Sequence, residues 1–301
     1  MRPLKFHPIL KQTLWGGERI IPYKELASGL SRVGESWELS GMPGSESVVA
    51  EGPWAGSTLS ELIGRFGAEL LGKANYARFG QEFPLLVKFI DAREDLSIQV
   101  HPDDELARKR HGKSGKCEMW YVLEAEPGAS LLTGFSRPIA PAEYERRVAD
   151  NTLTDVLNRQ AIASGDVFYL PAGRVHSIGK GSFIVEIQQS SDITYRIYDF
   201  DRRDAAGNSR ELHTELAREA IDFESSENSR ITYAPENNQE VRLVTTPYFT
   251  TSLYTLTART RCDWSATDSF VAIVLLQGSG SLTDNEGNRI DVRQGETWLL
   301  P

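Results

Sequence analysis

The chain has 301 residues, 40% of them hydrophobic and 25% charged, and a formal net charge of -9. That is the composition of a globular protein of one large or two smaller domains, and its acidity argues against a general nucleic-acid or anionic-membrane surface while leaving room for a local basic pocket. No apolar run is long enough to cross a bilayer, no signal-peptide core follows Met1, and Cys117 and Cys262 are too few for a disulfide framework, so a cytoplasmic protein is expected, with neither nucleic acid nor membrane as partner.

Residues 1–56 read as short strands and loops, broken by Pro3, Pro8, Pro22 and Pro43, with a tight turn at Trp15-Gly16-Gly17. Residues 34–40 alternate as a strand, with Trp37 and Leu39 on one face and Glu38 and Ser40 on the other, where Glu38 is expected to meet water. A helix is expected near Ser57, because Thr58 and Glu61 fit a capping box and Leu59, Leu62 and Ile63 form an apolar stripe. Residues 83–91 are a nearly continuous apolar run of strand length, which implies cover on both faces. Lys88 interrupts that run; it needs either an anion beside it or a path to the rim.

Residues 96–101 alternate again. Leu96, Ile98 and Val100 point into packing; Ser97, Gln99 and His101 share the other face until Pro102 ends the strand. A short helix with acids at its positive end follows, then a loop over 111–116 and a strand over 117–123 that puts Lys116, Glu118 and Trp120 on one face. Residues 141–160 read as a helical insertion, with Pro141 in the first turn and Tyr144, Val148, Leu153 and Leu157 apolar. In 165–178 a Gly-Asp turn opens a strand, Pro171-Ala172-Gly173 turns, and His176 follows. Two more strand-like runs cover 183–189 and 194–199. Thr214 is expected to cap a helix reaching about Ile221, and His213 at its entrance lies outside the motifs, so its loss should spare metal and activity. Beyond Arg230 come further strands, a hairpin turn at 284–288, and a run at 295–301 that echoes 165–171 as a degenerate repeat of one β unit.

Many short strands between Gly and Pro turns point to a mainly β fold, an antiparallel double-stranded β-barrel of the jelly-roll or cupin type. The expected division is a domain over 1–225 with the helical insertion, and a smaller C-terminal β unit over 226–301. Gln99, His101, Glu118 and His176 stand on three strands or strand ends. Two imidazoles, a carboxylate and an amide oxygen match a divalent ion of the zinc, iron or manganese kind and leave positions open for substrate. The alternative is a pair of unrelated, hydrogen-bonded histidines.

Several ordered runs carry a family resemblance: Leu-Ser-Ile-Gln-Val-His-Pro-Asp-Asp at 96–104, Lys-x-Glu-x-Trp-Tyr at 116–121, Pro-Ala-Gly-Arg-Val-His at 171–176, and Glu-Ile-Gln-Gln-Ser-Ser-Asp-x-Thr-Tyr-Arg-x-Tyr-Asp at 186–199. Together with Trp15-Gly16-Gly17 and Gly-Glu-Ser-Trp-Glu at 34–38, they resemble type I mannose-6-phosphate isomerase, its shorter bacterial subclass in particular, over about residues 4–225. The resemblance implies an aldose–ketose isomerase that interconverts mannose 6-phosphate and fructose 6-phosphate through a cis-enediol. It implies one divalent ion per chain, zinc foremost, on His101, Glu118 and His176, with Gln99 as the fourth ligand. Arg196 matches the family's active-site arginine and Lys116 a lysine near its metal, which makes these two the implied catalytic residues. Lys113 and Arg202 are the candidate phosphate cations by position, and Lys88 and Trp15 complete the expected substrate-binding set. Two other readings use the same barrel: another metal-dependent cupin enzyme such as an iron dioxygenase, and a non-catalytic sugar-binding cupin. The basic residues around the site suit a sugar phosphate better than an apolar substrate, and Arg196 suits catalysis better than mere binding. None of these motifs encodes the oligomeric state.

Overall fold

The structure is a computed structural model that describes residues 2–224 and 228–301; the domain division expected between 225 and 226 falls outside the described residues. The architecture is mainly β, with two antiparallel sheets forming the barrel. The larger sheet runs, in spatial order, Arg230–Ile231, Val167–Leu170, Glu118–Ala125, Ser182–Gln189, Leu85–Ala92, Ile9–Gly17, Val33–Met42 and Ser45–Glu46. The smaller runs Tyr195–Tyr198, Ile98–Val100, His176–Ile178, Ser130–Phe135 and Leu157–Ala161. Between them lies an apolar layer in which Ile90, Trp120, Val122 and Ile184 of the larger sheet meet Leu131 and Ile178 of the smaller. Leu85–Ala92 is buried at every position, Lys88 and Asp91 included, as its nearly continuous apolar run implies.

The outer face of the larger sheet is covered by the helix Leu59–Phe66. Its capping box is complete: Thr58 N–H donates to Glu61 Oε2 at 2.9 Å, and Glu61 N–H donates to Thr58 Oγ1 at 3.1 Å. Such a cap contributes about 1 kcal/mol. Leu59, Leu62 and Ile63 pack on Leu39, Val87 and Met119, and the same cluster takes in Leu243, Val244, Phe249, Phe270 and Leu299 from the C-terminal region. That region is also joined by pairing, because Thr297–Leu300 lies between Leu4–Lys5 and Val271–Val274. The hairpin expected at 284–288 joins Ser279–Thr283 to Arg289–Arg293. Among the described residues no helix is long and apolar enough to cross a membrane.

Four local expectations change. The register of Val33–Met42 against Leu85–Ala92 slips between Trp37 and Leu39. One extra residue turns the remainder of a strand over, so Leu39 enters the core while Trp37 stays half-buried beside Lys11 and Lys88. Glu38 is buried rather than solvated, with Lys24 Nζ at 2.9 Å and Ser36 Oγ at 2.6 Å. The helical insertion is shorter than 141–160: its helix covers Pro141–Ala149, a 3-10 turn covers Leu153–Val156, and Leu157–Ala161 is a strand of the smaller sheet. The apolar spacing of Leu153 and Leu157 reflects burial in a shared core with Tyr144, not one continuous helix. Finally, Thr214 is the first residue of the helix Thr214–Ala220, and His213 is its N-cap, with no side-chain cap bond.

Candidate metal centre

The two walls of the barrel supply different donors. Gln99 and His101 come from the strand Ile98–Val100 and its end, and His176 opens the neighbouring strand directly opposite Gln99. Glu118 opens Glu118–Ala125 in the facing sheet. His101, Glu118 and His176 are buried, with 2%, 0% and 1% exposure. His101 Nε2 lies 3.4 Å from Glu118 Oε2, and His176 Nε2 lies 3.2 Å from Glu118 Oε1. Gln99 Nε2 is 3.3 Å from His176 Nε2, so the Gln99 amide reaches the same point. Among the described residues this is the group of His, Cys, Asp and Glu whose donor atoms all fall within 4.8 Å of one another.

The hydrogen bonds behind the imidazoles fix their tautomers. His101 Nδ1 lies 2.8 Å from the carbonyl of Ile193, and His176 Nδ1 lies 2.8 Å from the carbonyl of Arg174. A carbonyl only accepts, so each Nδ1 carries the proton and each Nε2 turns a lone pair inward, the arrangement that second-shell acceptors impose on metal-ligating histidines. His101 Nε2 finds no hydrogen-bond partner among the described residues. A tetrahedral ion with ligands at about 2.0–2.2 Å separates neighbouring donors by about 3.3–3.6 Å, and the two His–Glu distances fall close to that range. The donor set therefore fits a divalent ion. Burial pushes the His101 imidazole down to about 3, with the Lys116 charge acting in the same direction, and burial likewise lowers His176. Burial opposes ionisation of Glu118, but Lys116 and the two imidazoles outweigh it and hold the carboxyl well below the usual carboxylate range. All three groups are thus in the state that binds a cation.

A line of buried charge leads away from this cluster. Lys116 Nζ is 3.0 Å from Glu118 Oε2 and 4.0 Å from Glu186 Oε1. Glu186 Oε1 is 3.1 Å from Lys88 Nζ, and its Oε2 accepts from Trp120 Nε1 at 3.0 Å. Burial disfavours the Lys88 ammonium, but Glu186 and then Glu35 reverse that and raise it. Lys88 is therefore a paired buried cation, not a snorkelling one. Glu186 is a site residue that the sequence reading did not select. Its signal was present: one carboxylate inside the buried run Ser182–Gln189, cross-strand from Lys88. Gln188, opposite Glu118 and fully buried, was passed over in the same way.

Glu186→Leu leaves Lys88 with Glu35 at 3.9 Å as its nearest carboxylate and strips Trp120 of its acceptor. A loss of about 3 kcal/mol in unfolding free energy is expected, as for breaking one side of a buried ion pair, with most of it recovered in Lys88→Met/Glu186→Leu. Denaturant titration in chelator, which removes any contribution of bound metal, measures both.

Arg196 stands on Tyr195–Tyr198, paired with Gln99, so the two side chains leave the sheet on one face. Tyr195 on the other face is buried in the core with Ile98 and Val100. Arg196 Nη1 donates to the carbonyl of Glu211 at 2.9 Å, while its Nε is buried without a partner among the described residues. Burial and then Arg210 weaken its hold on the proton, against Asp199. Arg202 is nearly buried: it donates to the Asp95 carbonyl and lies 3.9 Å from both Glu94 and Asp199. Two other residues of the expected substrate-binding set have partners within the protein. Lys113 forms an exposed ion pair with Asp192 at 2.9 Å, since its loop turns outward. Trp15 is 5% exposed and packs in the inter-sheet layer; its ring edge fills the space at Gly34, where an added Cβ would lie 2.7 Å from Trp15 Cζ3.

Comparison with known proteins extends these observations. A family model described as phosphomannose isomerase type I, catalytic domain, matches residues 4–132. Mannose-6-phosphate isomerase ManA of Bacillus subtilis is 34% identical over 303 residues, covering 99% of this chain and 93% of that protein. A mannose-6-phosphate isomerase of Streptococcus mutans is 33% identical, covering 99% and 92%. Among solved structures, a mannose 6-phosphate isomerase from Bacillus subtilis superposes with a TM-score of 0.90 at 30% identity, covering 100% of this chain and 94% of that one.

Proposed function

The chain belongs to the type I phosphomannose isomerase family, and from that membership we infer that it interconverts mannose 6-phosphate and fructose 6-phosphate at the His101–Glu118–His176 cluster. The observation that carries this reading is the convergence of two inward-facing imidazole lone pairs on one buried carboxylate. His101, Glu118 and His176 would hold the ion, with the Gln99 amide turned over so that its oxygen is the fourth ligand, and two imidazole nitrogens with a carboxylate suit zinc. When bound, such an ion supplies Lewis-acid stabilisation to the sugar's oxygens.

The reaction moves a carbonyl from C1 to C2 and a proton from C2 to C1, so negative charge gathers on the two oxygens between these states. The chain's own contribution is fixed positive charge in a dry cavity. The Lys116 ammonium is held by Glu118, and the free Nε of Arg196 offers a permanently charged donor on the face it shares with Gln99. We assign these two as the catalytic cations. Lys88 takes part through Glu186, which it orients. Arg202 is the better candidate for the phosphate: it is nearly buried on the Arg196 side, whereas Lys113 lies in a surface pair. Cys117 and Cys262 are free thiols, the state expected in a reducing cytoplasm, where we place the enzyme.

The test is to incubate the protein with mannose 6-phosphate and assay fructose 6-phosphate before chelation, after it, and after adding back zinc. Activity is expected to vanish on chelation and to return with zinc. Full turnover in thoroughly metal-free protein would contradict the site, and no fructose 6-phosphate from zinc-loaded protein would contradict the function.

A further inference from the structure

We propose that His213 is a positioning residue that keeps Arg196 aimed into the active site; this rests on the role given to Arg196 above. The strand Tyr195–Tyr198 forms an edge of the smaller sheet. Its inner side pairs with Ile98–Val100, and the register slips between Arg196 and Tyr198. An edge strand leaves one row of backbone N–H and C=O groups without ladder partners. At Arg196 a single residue takes both. The Arg196 N–H donates to His213 Nδ1 at 3.2 Å, and the Arg196 carbonyl accepts from the His213 N–H at 2.6 Å. Two residues earlier, the Glu211 carbonyl takes Nη1 of the same arginine. Residues 211–213 thus clip Arg196 at its peptide and at its guanidinium, and leave Nε for a ligand.

The clip is anchored. The His213 carbonyl accepts the Ala217 N–H at 2.8 Å, and Ala217 packs in the core with Tyr195 and Ile197. An accepting Nδ1 puts the imidazole proton on Nε2, which lies 3.7 Å from Glu211 Oε2. Without the Nδ1 acceptor, the Arg196 N–H beside the register slip loses its partner, and only the His213 N–H bond to the Arg196 carbonyl still holds the outer edge. The guanidinium, several bonds away, magnifies any rotation of that peptide, and displacement of a catalytic group by about 1 Å can cost about 10² in rate. The expectation that His213 is irrelevant to activity is therefore replaced.

The experiment compares kcat, KM and metal content of metal-loaded wild type, His213→Ala, His213→Asn, His213→Gln, Arg196→Ala and the double variant His213→Ala/Arg196→Ala. His213→Ala is expected to lose about tenfold in kcat, the worth of one hydrogen bond, with KM and metal content unchanged. Asn can place its Oδ1 where Nδ1 was and should restore most of the loss. Gln fills the space without placing that acceptor and should not, which keeps the comparison valid should the alanine variant fail to fold. In the double variant, His213→Ala should add nothing to Arg196→Ala. Wild-type kcat in both His213→Ala and His213→Gln, beside an impaired Arg196→Ala, overturns the clip alone. A full tenfold loss repeated on the Arg196→Ala background also overturns it, because the effect would then not pass through the arginine. An unimpaired Arg196→Ala enzyme overturns the role of the arginine and this proposal together.

Discussion

Glu118→Ala is expected to lower turnover by about four orders of magnitude, equivalent to the several kcal/mol that a Lewis-acid ion supplies to a developing charge. Glu118 is the only anion among the four proposed ligands, and both of its oxygens are turned toward imidazole nitrogens. Its loss leaves two neutral rings and a neutral amide to hold a divalent ion, with the Lys116 ammonium, formerly 3.0 Å from the carboxylate, beside it and only Glu186 at 4.0 Å to balance it. A buried cation facing a buried ion is strongly unfavourable, so the metal should leave along with the activity. His101→Ala should act in the same direction through the loss of one ligand. Metal analysis on the purified variants, coupled to the mannose 6-phosphate assay, checks both at once. Retention of stoichiometric metal and wild-type turnover by Glu118→Ala would remove it from the site.

Arg196→Ala should show a different pattern. Turnover is expected to drop by roughly two to three orders of magnitude, as for removal of one preorganised charge-stabilising donor, while metal content stays intact. The guanidinium is always charged, and with Nη1 held by the Glu211 carbonyl its Nε is fixed and unpartnered. That is a donor whose interaction strengthens as charge develops on the substrate, which lowers the barrier rather than only tightening binding. Arg196→Lys keeps the charge and loses the fork, so it should fall between wild type and alanine. Steady-state kcat and KM with mannose 6-phosphate separate the alternatives. A variant with wild-type kcat and a raised KM would make Arg196 an anchor for the substrate, most simply for its phosphate.

Much of this site could be read from the chain alone, and the parts that could not share a cause. Gln99, His101, Lys116 and Glu118 lie on short runs whose alternation places them on defined faces, and the structure puts those faces opposite one another. Glu186 and Gln188 were missed because they sit in a strand buried on both faces, where alternation carries no signal about which side a polar group faces. Trp37 and Leu39 were put on one face because strict period two assumes an unbroken register, and the slip between them has no mark in the residues themselves. Trp15 and Lys113 were assigned by family resemblance and by position; neither shows whether a side chain ends in a core or in a surface pair.

The sequence by itself determined what depends on neighbours along the chain. This covers the capping box at Thr58 and Glu61, the two-face burial of Leu85–Ala92, the hairpin turn at 284–288, and the chemical identity of the candidate metal donors. Hydrogen bonding and steric preference at short range are enough for those. Only the tertiary structure decided which nitrogen of His101 faces inward, because the carbonyl that sets its tautomer belongs to Ile193, 92 residues away. It also decided that Lys88 and Glu38 are paired inside and not solvated, and that His213 closes the open edge at Arg196. Those outcomes depend on which buried polar groups come within about 3 Å of each other, and a buried charge or an edge amide is satisfied by whatever the closed barrel brings to it, however far away it lies in the chain.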